Sequence, residues 1–402
     1  FYSGFPSAPE INFQTTVSTL GNCIPNVKLE AANIELFDSY RWEYFNNTTN
    51  SWETRSISSN YTPLASEPGR YKLIGIINCT GTIFESIEIP VSICPEDADE
   101  DFVIDNLDID LDNDGILNCE ESNGNATLNI TDTNNPAIVF EDNSINSTII
   151  SSTYSASEAT NSITGENNGN FQTSINPVVN SELNYELSFT QNINFKFTQN
   201  NTKDHTISEG EFFILKIEPN NKNITLLDPD QELLVDSNFD GEFETGVTYI
   251  SSSEIHFKYA SNQEGATSTF QFLANQVDKI VFKHQSNGIT STSTFNGNFS
   301  FTCFARDSDN DGIEDAFDLD SDNDGILDRF EASGALLTLI GDTDLDGLDD
   351  VFNTITTDAD SDNDGVLNVL DIDSDNDGIY DLLEVGLTST QTEALDTNND
   401  GI

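Results

Sequence analysis

The sequence predicts an all-β chain in which two antiparallel β-sandwiches are joined and followed by acidic segments of irregular loops. Three observations carry this. Runs with period-two alternation of apolar residues, such as Leu183-Tyr185-Leu187-Phe189 and Ile193-Phe195-Phe197, fit half-buried strands. The chain carries 27 Phe and 36% hydrophobic residues, enough for packed cores despite a formal net charge of −57. The acids are concentrated, with 12 in residues 95–121 and 29 in residues 306–402, against two bases (Arg306 and Arg329) in the latter.

That charge argues against nucleic acid and anionic membrane as partners, because both require a basic face. It points to cations instead. No apolar run approaches the roughly 18 residues that would span a bilayer. The chain has no Met, opens without a basic-then-apolar leader and stops inside a motif that recurs upstream, so the sequence reads as a piece of something longer.

The first 94 residues hold five strand-like runs: INFQTTV, NVKLEA, YRWEYF, YKLIGII and TIFESIEIPVSI. The last is expected to alternate from Ile83 through Glu85, Ile87, Ile89 and Val91 to Ile93. Residues 122–304 are strand-rich as well, adding EFFILKIE, EIHFKYA, DKIVFKH and NFSFTCF. Turn signals between these runs predict a larger sandwich of jelly-roll type.

The acidic segments are built from a fixed frame. From Asp307, the run DSDNDGIEDAFD places Asp307, Asp309 and Asp311 at positions one, three and five, Gly312 at six, Ile313 at seven and Asp318 at twelve. A calcium loop of the EF-hand type needs this order: three alternating carboxylates, a glycine for the sharp turn, a backbone carbonyl and a closing carboxylate. A second loop starts 13 residues on, with Asp320, Asp322, Asp324, Ile326 and Glu331. The doublet recurs as Asp360, Asp362, Asp364, Val366 and Asp371, followed by Asp373, Asp375, Asp377, Ile379 and Glu384. It also occurs as Asp97, Asp99, Asp101 and Asp108, followed by Asp110, Asp112, Asp114, Ile116 and Glu121, with Phe102 where glycine is expected. Single loops begin at Asp342 (Asp344, Asp346, Leu348) and Asp396 (Asn398, Asp400). Carboxylates at position nine (Asp105, Asp315, Asp328, Asp350 and Asp381) complete the candidate ligand set. Asp-Gly turns on an acidic surface would account for neither the position-twelve carboxylates nor the offset of 13. Thirteen residues leave no room for flanking helices, so apolar residues such as Ile313, Leu319, Ile326, Ile372 and Ile379 are expected to pack between ion-centred loops. One further loop lies inside the larger sandwich: Asp236, Asn238, Asp240 and Gly241, with Val247 at position twelve. A tight hairpin turn is the alternative there.

The runs DLDSDNDGILDRFE, DIDSDNDGIYDLLE and DIDLDNDGILNCEE resemble thrombospondin type 3 repeats in the form found in secreted surface proteins of the Bacteroidetes. The resemblance covers only the acidic segments. It implies a calcium-wrapped, irregular rod whose ligands are those Asp positions. Residues 1–94, with Trp42 between Cys23 and Cys79, resemble a bacterial immunoglobulin-like or PKD-like sandwich, which makes Cys23–Cys79 the expected inter-sheet disulfide. Cys94 and Cys119 bracket the first doublet and are expected to pair, leaving Cys303 as a buried free thiol beside Phe299 and Phe301. Disulfides and the absence of CxxC suggest an oxidising compartment.

No HExxH, GxSxG or P-loop occurs, and His256 and His284 are expected at the surface. The chain therefore reads as a non-enzymatic extracellular segment of a large cell-surface adhesin or filament, of the kind used in gliding or attachment and exported by the type IX route. Calcium is its cofactor, and surface glycans or other copies of the protein are its candidate partners. The alternatives are an accessory carbohydrate-binding region of a secreted polysaccharide-degrading enzyme, which a surface row of aromatics on residues 122–304 would favour, and a structural polymer.

Overall fold

The structure is a computed structural model that describes residues 9, 11–15, 23–24, 27–32, 34–46, 49–141, 143–200, 210–237, 239, 241–260, 268–288, 291–333, 338–352 and 360–381. It divides into two units. One comprises Phe1–Pro95, Leu128–Ile138 and Ile145–Phe299; the other comprises Glu96–Thr127, Val139–Ser144 and Ser300–Ile402.

In the first unit the N-terminal strands form two antiparallel sheets. One contains Ile11–Thr15, Val27–Ala31 and Asn60–Tyr61. The other runs Ser51–Ser56, Ser39–Asn46, Gly69–Ile77 and Thr82–Glu85, with Ile89–Val91 also paired to Gly69–Ile77. Strict alternation in VKLEA turns Val27, Leu29 and Ala31 inward. They meet Tyr40, Trp42, Tyr71, Leu73, Ile89 and Val91 in one core. Trp42 is buried.

The expected alternation from Ile83 to Ile93 is interrupted. Ile74 pairs with Glu85 and Tyr71 with Ile89, so two residues of one strand face three of the other. The extra residue is a bulge, which reverses the facing of everything beyond it. Ser86 fills the gap by accepting the Leu73 N–H on Oγ at 2.8 Å. Ile83 and Ile87 consequently face solvent, whereas Ile89 and Val91 are buried.

The larger sheet has 14 strands and is ordered, across its centre, Ser293–Phe301, Glu182–Gln199, Gln271–Ser286, Glu211–Glu218, Glu254–Tyr259 and Leu233–Asp236. The 18-residue and 16-residue central strands pair antiparallel, with register shifts between Ser188 and Phe195. Their inward rings build a phenylalanine core: Phe171 stacks on Phe299 at 5.2 Å, Phe197 lies 4.9 Å from Phe299, and Phe213 lies 4.6 Å from Phe295. His284 is not at the surface. It is fully buried, with Nδ1 3.0 Å from Thr173 Oγ1 and Nε2 2.9 Å from Glu211 Oε1. The buried Glu211 and Thr173 give its polar atoms partners, so the ring stays on the core face beside Phe213.

Both expected disulfides are replaced. Cys23 pairs with Cys94, and Cys119 with Cys303; Cys79 is free and exposed. Ile24 bridges Ile93 in parallel, with Ile24 N–H donating to Ser92 O and Cys94 N–H to Ile24 O, which sets Cys23 beside Cys94. Cys79 lies beyond the end of Gly69–Ile77, in the turn closed by Gly81 N–H to Ile77 O, and so points away from the core. Cys303 has left its strand: its φ of 44° turns it off the face of Phe299 and Phe301, and its N–H donates to Asn125 Oδ1. Asn123 and Gly124 pair with Phe304 through their backbones, bringing Cys119 and Cys303 within reach.

Non-reducing peptide mapping should recover Cys23–Cys94 and Cys119–Cys303, with Cys79 alkylated without reduction. The phenylalanine core should be the strongest stability element of its sandwich, so Phe197→Ala should cost about 3–5 kcal/mol in a chemical melt. A loss under 1 kcal/mol would contradict that packing.

Candidate metal centres

All eight described loops of the repeated frame follow one backbone course, starting at Asp97, Asp110, Asp236, Asp307, Asp320, Asp342, Asp360 and Asp373. Position four is left-handed in each, with φ between 56° and 66°, and position six likewise, with φ between 85° and 104°. Glycine suits the second of these turns. Phe102 nevertheless holds φ 85° at position six, so the one departure from the motif leaves the loop geometry unchanged. At position four the residue is usually Asn, which tolerates this region best after glycine. That regularity is present in the sequence at Asn113, Asn310, Asn323, Asn363 and Asn376, and the ligand-based reading passes over it.

The hydrogen bonds explain the turn. The position-six N–H donates to Oδ2 of position one: Gly115 to Asp110 at 2.9 Å, Gly325 to Asp320 at 3.0 Å, Gly347 to Asp342 at 2.9 Å, Gly365 to Asp360 at 3.1 Å and Gly378 to Asp373 at 3.0 Å. The Asp236 loop makes the same bond from Gly241 at 3.0 Å. Asp236 is buried, whereas Asn238 and Asp240 lie outside the described residues. The position-five N–H donates to Oδ1 of position three, and the position-seven N–H to Oδ1 of position five, as in Asp311 to Asp309 at 2.9 Å and Ile313 to Asp311 at 2.8 Å. The loops at Asp97, Asp110, Asp320, Asp360 and Asp373 repeat both bonds.

One oxygen of each of these carboxylates is thereby used, and in several of them the other is buried without a partner. Oδ1 of Asp97, Asp110, Asp307 and Asp373 is buried without a hydrogen-bond partner, as is Oδ2 of Asp99, Asp101, Asp112, Asp114, Asp311 and Asp322. Both oxygens of Glu121 and Glu331, at position twelve, share this state. Carboxylate oxygens of Asp97, Asp99 and Asp101 lie within 4.8 Å of one another; so do those of Asp110, Asp112 and Asp114, of Asp307, Asp309 and Asp311, and of Asp320, Asp322 and Asp324. A buried carboxylate oxygen without a donor is costly, and several converging ones are costlier. An all-oxygen donor set of this kind fits a hard divalent cation of calcium type.

Position nine has a different part. Its side chain accepts the N–H of position two: Asp105 from Ala98 at 3.0 Å, Asp315 from Ser308 at 2.7 Å, Asp328 from Ser321 at 3.0 Å and Asp381 from Ser374 at 3.1 Å. Asn118 and Asn368 make the same clamp to Leu111 and Ser361. In the Asp342 loop, Asp350 accepts from Thr343 Oγ1, and the buried Asp349 holds the N–H groups of Ile340, Gly341 and Val351. Glu384, Asp396, Asn398 and Asp400 lie outside the described residues.

The two acidic segments do not form an open string of beads. They belong to one unit, and Ile116, Ala332 and Val369, from three different doublets, share a small apolar cluster with Leu367 and Leu370. A Cβ on Gly115 would meet the Phe352 ring, and one on Gly347 would meet the Asp108 carboxylate. Inter-loop packing thus falls to Ile116, Phe352 and Val369, whereas Ile372 and Ile379, expected between loops, are exposed.

Burial pushes Asp99 up to about 6, Asp318 and Asp320 to about 7, Asp108 and Asp110 to about 8, Asp322 and Asp328 to about 9, and Glu331 to about 11. Asp112, Asp114 and Glu121 are raised well above the ordinary range by burial and then by neighbouring carboxylates.

Among the described residues, no helix is long and apolar enough to cross a membrane. No protein-family model matches the sequence, and a search of curated proteins finds no match.

Carboxylates whose folded pKa exceeds the unfolded value of about 4 stabilise the fold below that pH and lose their contribution as pH rises through the folded value. With divalent cations chelated, hydrogen-exchange protection of residues 97–121 and 307–331 should therefore fall from about pH 5 to 9. Millimolar calcium should remove that dependence, because the ion replaces the proton. Equal, pH-independent protection in chelator and calcium would contradict the electrostatic account.

Proposed function

We propose that the chain is a calcium-stabilised, non-enzymatic extracellular segment of a large bacterial cell-surface protein, serving attachment or surface structure. The carrying observation is the recurrence of buried carboxylate oxygens without hydrogen-bond partners at positions one, three and five of several loops, and on both oxygens of Glu121 and Glu331 at position twelve, with the acids of positions one, three and five drawn together. The two disulfides support an oxidising compartment. Calcium at roughly 10⁻⁴–10⁻³ M, the usual range for extracellular modules, would be sufficient. Other copies of the protein or surface glycans are the partners that suit an acidic, calcium-loaded surface, with the cation bridging carboxylate to hydroxyl or carboxylate.

The carbohydrate-binding alternative requires a surface row of aromatics on the larger sandwich. Among its described residues, the exposed aromatics are Tyr154 and Tyr249, on the strands Ile150–Ala156 and Tyr249–Ser252, which pair with different neighbours. The attachment reading is therefore preferred.

Two measurements test it together. Isothermal titration of the chelated chain should show several calcium ions bound. Beads coated with the chain should then adhere to one another, or to polysaccharide-coated glass, in 1–2 mM calcium and detach in chelator, on the order of the affinities above. Calcium binding without adhesion would leave a structural spacer; no calcium binding would sink the reading.

A further inference from the structure

The second loop of the first doublet and the second loop of the Asp307–Glu331 doublet are almost 200 residues apart in the chain, yet their carboxylates meet. One oxygen each from Asp114, Glu121 and Asp328 lies within 4.8 Å of the other two, and all three residues are buried. Glu121 is 1% exposed and neither of its carboxylate oxygens has a hydrogen-bond partner; Oδ2 of the wholly buried Asp114 has none either. We propose that a single divalent cation is held between the two acidic segments by Asp114 and Glu121 from one and Asp328 from the other. This rests on the calcium reading of the loops: Asp114 and Glu121 are ligands of the Asp110 loop, and Asp328 completes the shell of that same ion from the other segment.

Two observations favour Asp328 as a ligand as well as the clamp of its own loop. Its carboxylate accepts the Ser321 N–H on both oxygens, at 3.0 and 3.1 Å. Asn118 and Asn368 perform the same clamp with an uncharged amide, so the negative charge of Asp328 is surplus to that task. The neighbouring base, Arg329, acts on Asp114, but one guanidinium does not balance three buried carboxylates. Ile116 and Ala332 pack in one cluster and hold the two loops face to face.

The full-length chain should be tested as Asp328→Asn, Glu121→Gln, the double variant and Asp105→Asn, by equilibrium dialysis with radioactive calcium. Asp328→Asn keeps the clamp, by analogy with Asn118, and should fold; circular dichroism checks this. Asp328→Asn and Glu121→Gln should each lose one calcium equivalent, or weaken one at least tenfold. The double variant should lose no more than either. Asp105→Asn, the same chemical change in a loop without this junction, should lose none. Hydrogen exchange at residues 110–121 should rise in Asp328→Asn, although the substitution lies in the other segment. Full calcium count and affinity in Asp328→Asn, with an ion lost in Glu121→Gln, would overturn the shared site and leave the calcium reading intact. Additive losses in the double variant, or an equal loss in Asp105→Asn, would also overturn it. A wild-type chain that binds no calcium would remove both.

Discussion

Carboxylates cannot be buried against one another and remain ionised without a counter-charge, and the repeat unit is organised around that constraint. The backbone answers half of it. N–H groups at positions five, six and seven reach one oxygen on each of positions three, one and five, and the left-handed turns at positions four and six exist to aim them. The other oxygens remain, and the chain supplies almost no bases for them: Arg306 is already paired to Asp315, leaving Arg329 in the long acidic segment. Neutrality has to come from protons or from metal. The unit is therefore a fold whose stability depends on the solution around it.

The other unit rests on a different foundation. Its sandwiches are held by apolar burial, with Trp42 and Tyr71 in one core and a contiguous set of phenylalanine rings in the other. Burial of this sort is indifferent to calcium and to pH near neutrality. Even the titratable groups buried there are provided for, as with His284 between Thr173 and Glu211. Phe239, at position four of the Asp236 loop, packs into the core of the N-terminal sandwich. One side chain of an ion-loop motif thus contributes to an apolar core.

The loops were legible because their information is local: each ligand, turn and clamp lies within twelve residues, and the frame recurs. The strands of both sandwiches were legible for the same reason, through alternation. What local reading could not reach was long-range pairing. The bulge opposite Leu73 reverses the facing of Ile89 and Val91, and nothing in IEIPV announces it. The Cys23–Cys94 pair follows from a parallel bridge between Ile24 and Ile93 that no periodicity encodes. Cys303 was misread because a strand ends two residues earlier than its alternation suggests. Position nine reads only as ligand because Asp there looks like its neighbours, whereas its clamp to position two shows in the sequence only through Asn118 and Asn368 at the same place.

The pairing of Cys119 with Cys303 also decides which part of the molecule carries tension. A pull transmitted along the chain enters at Cys23, crosses to Cys94, runs through residues 95–118, and crosses again from Cys119 to Cys303. The strands between each pair of cysteines are covalently bypassed, so all of the larger sheet's strands and all of the N-terminal strands but Ile11–Thr15 are shunted out of the load path. Beyond that strand, the acidic loops are what remains in series with the force. Stretching would then be resisted by whatever neutralises the buried carboxylates of those loops, and by the small apolar cluster of Ile116, Ala332 and Val369.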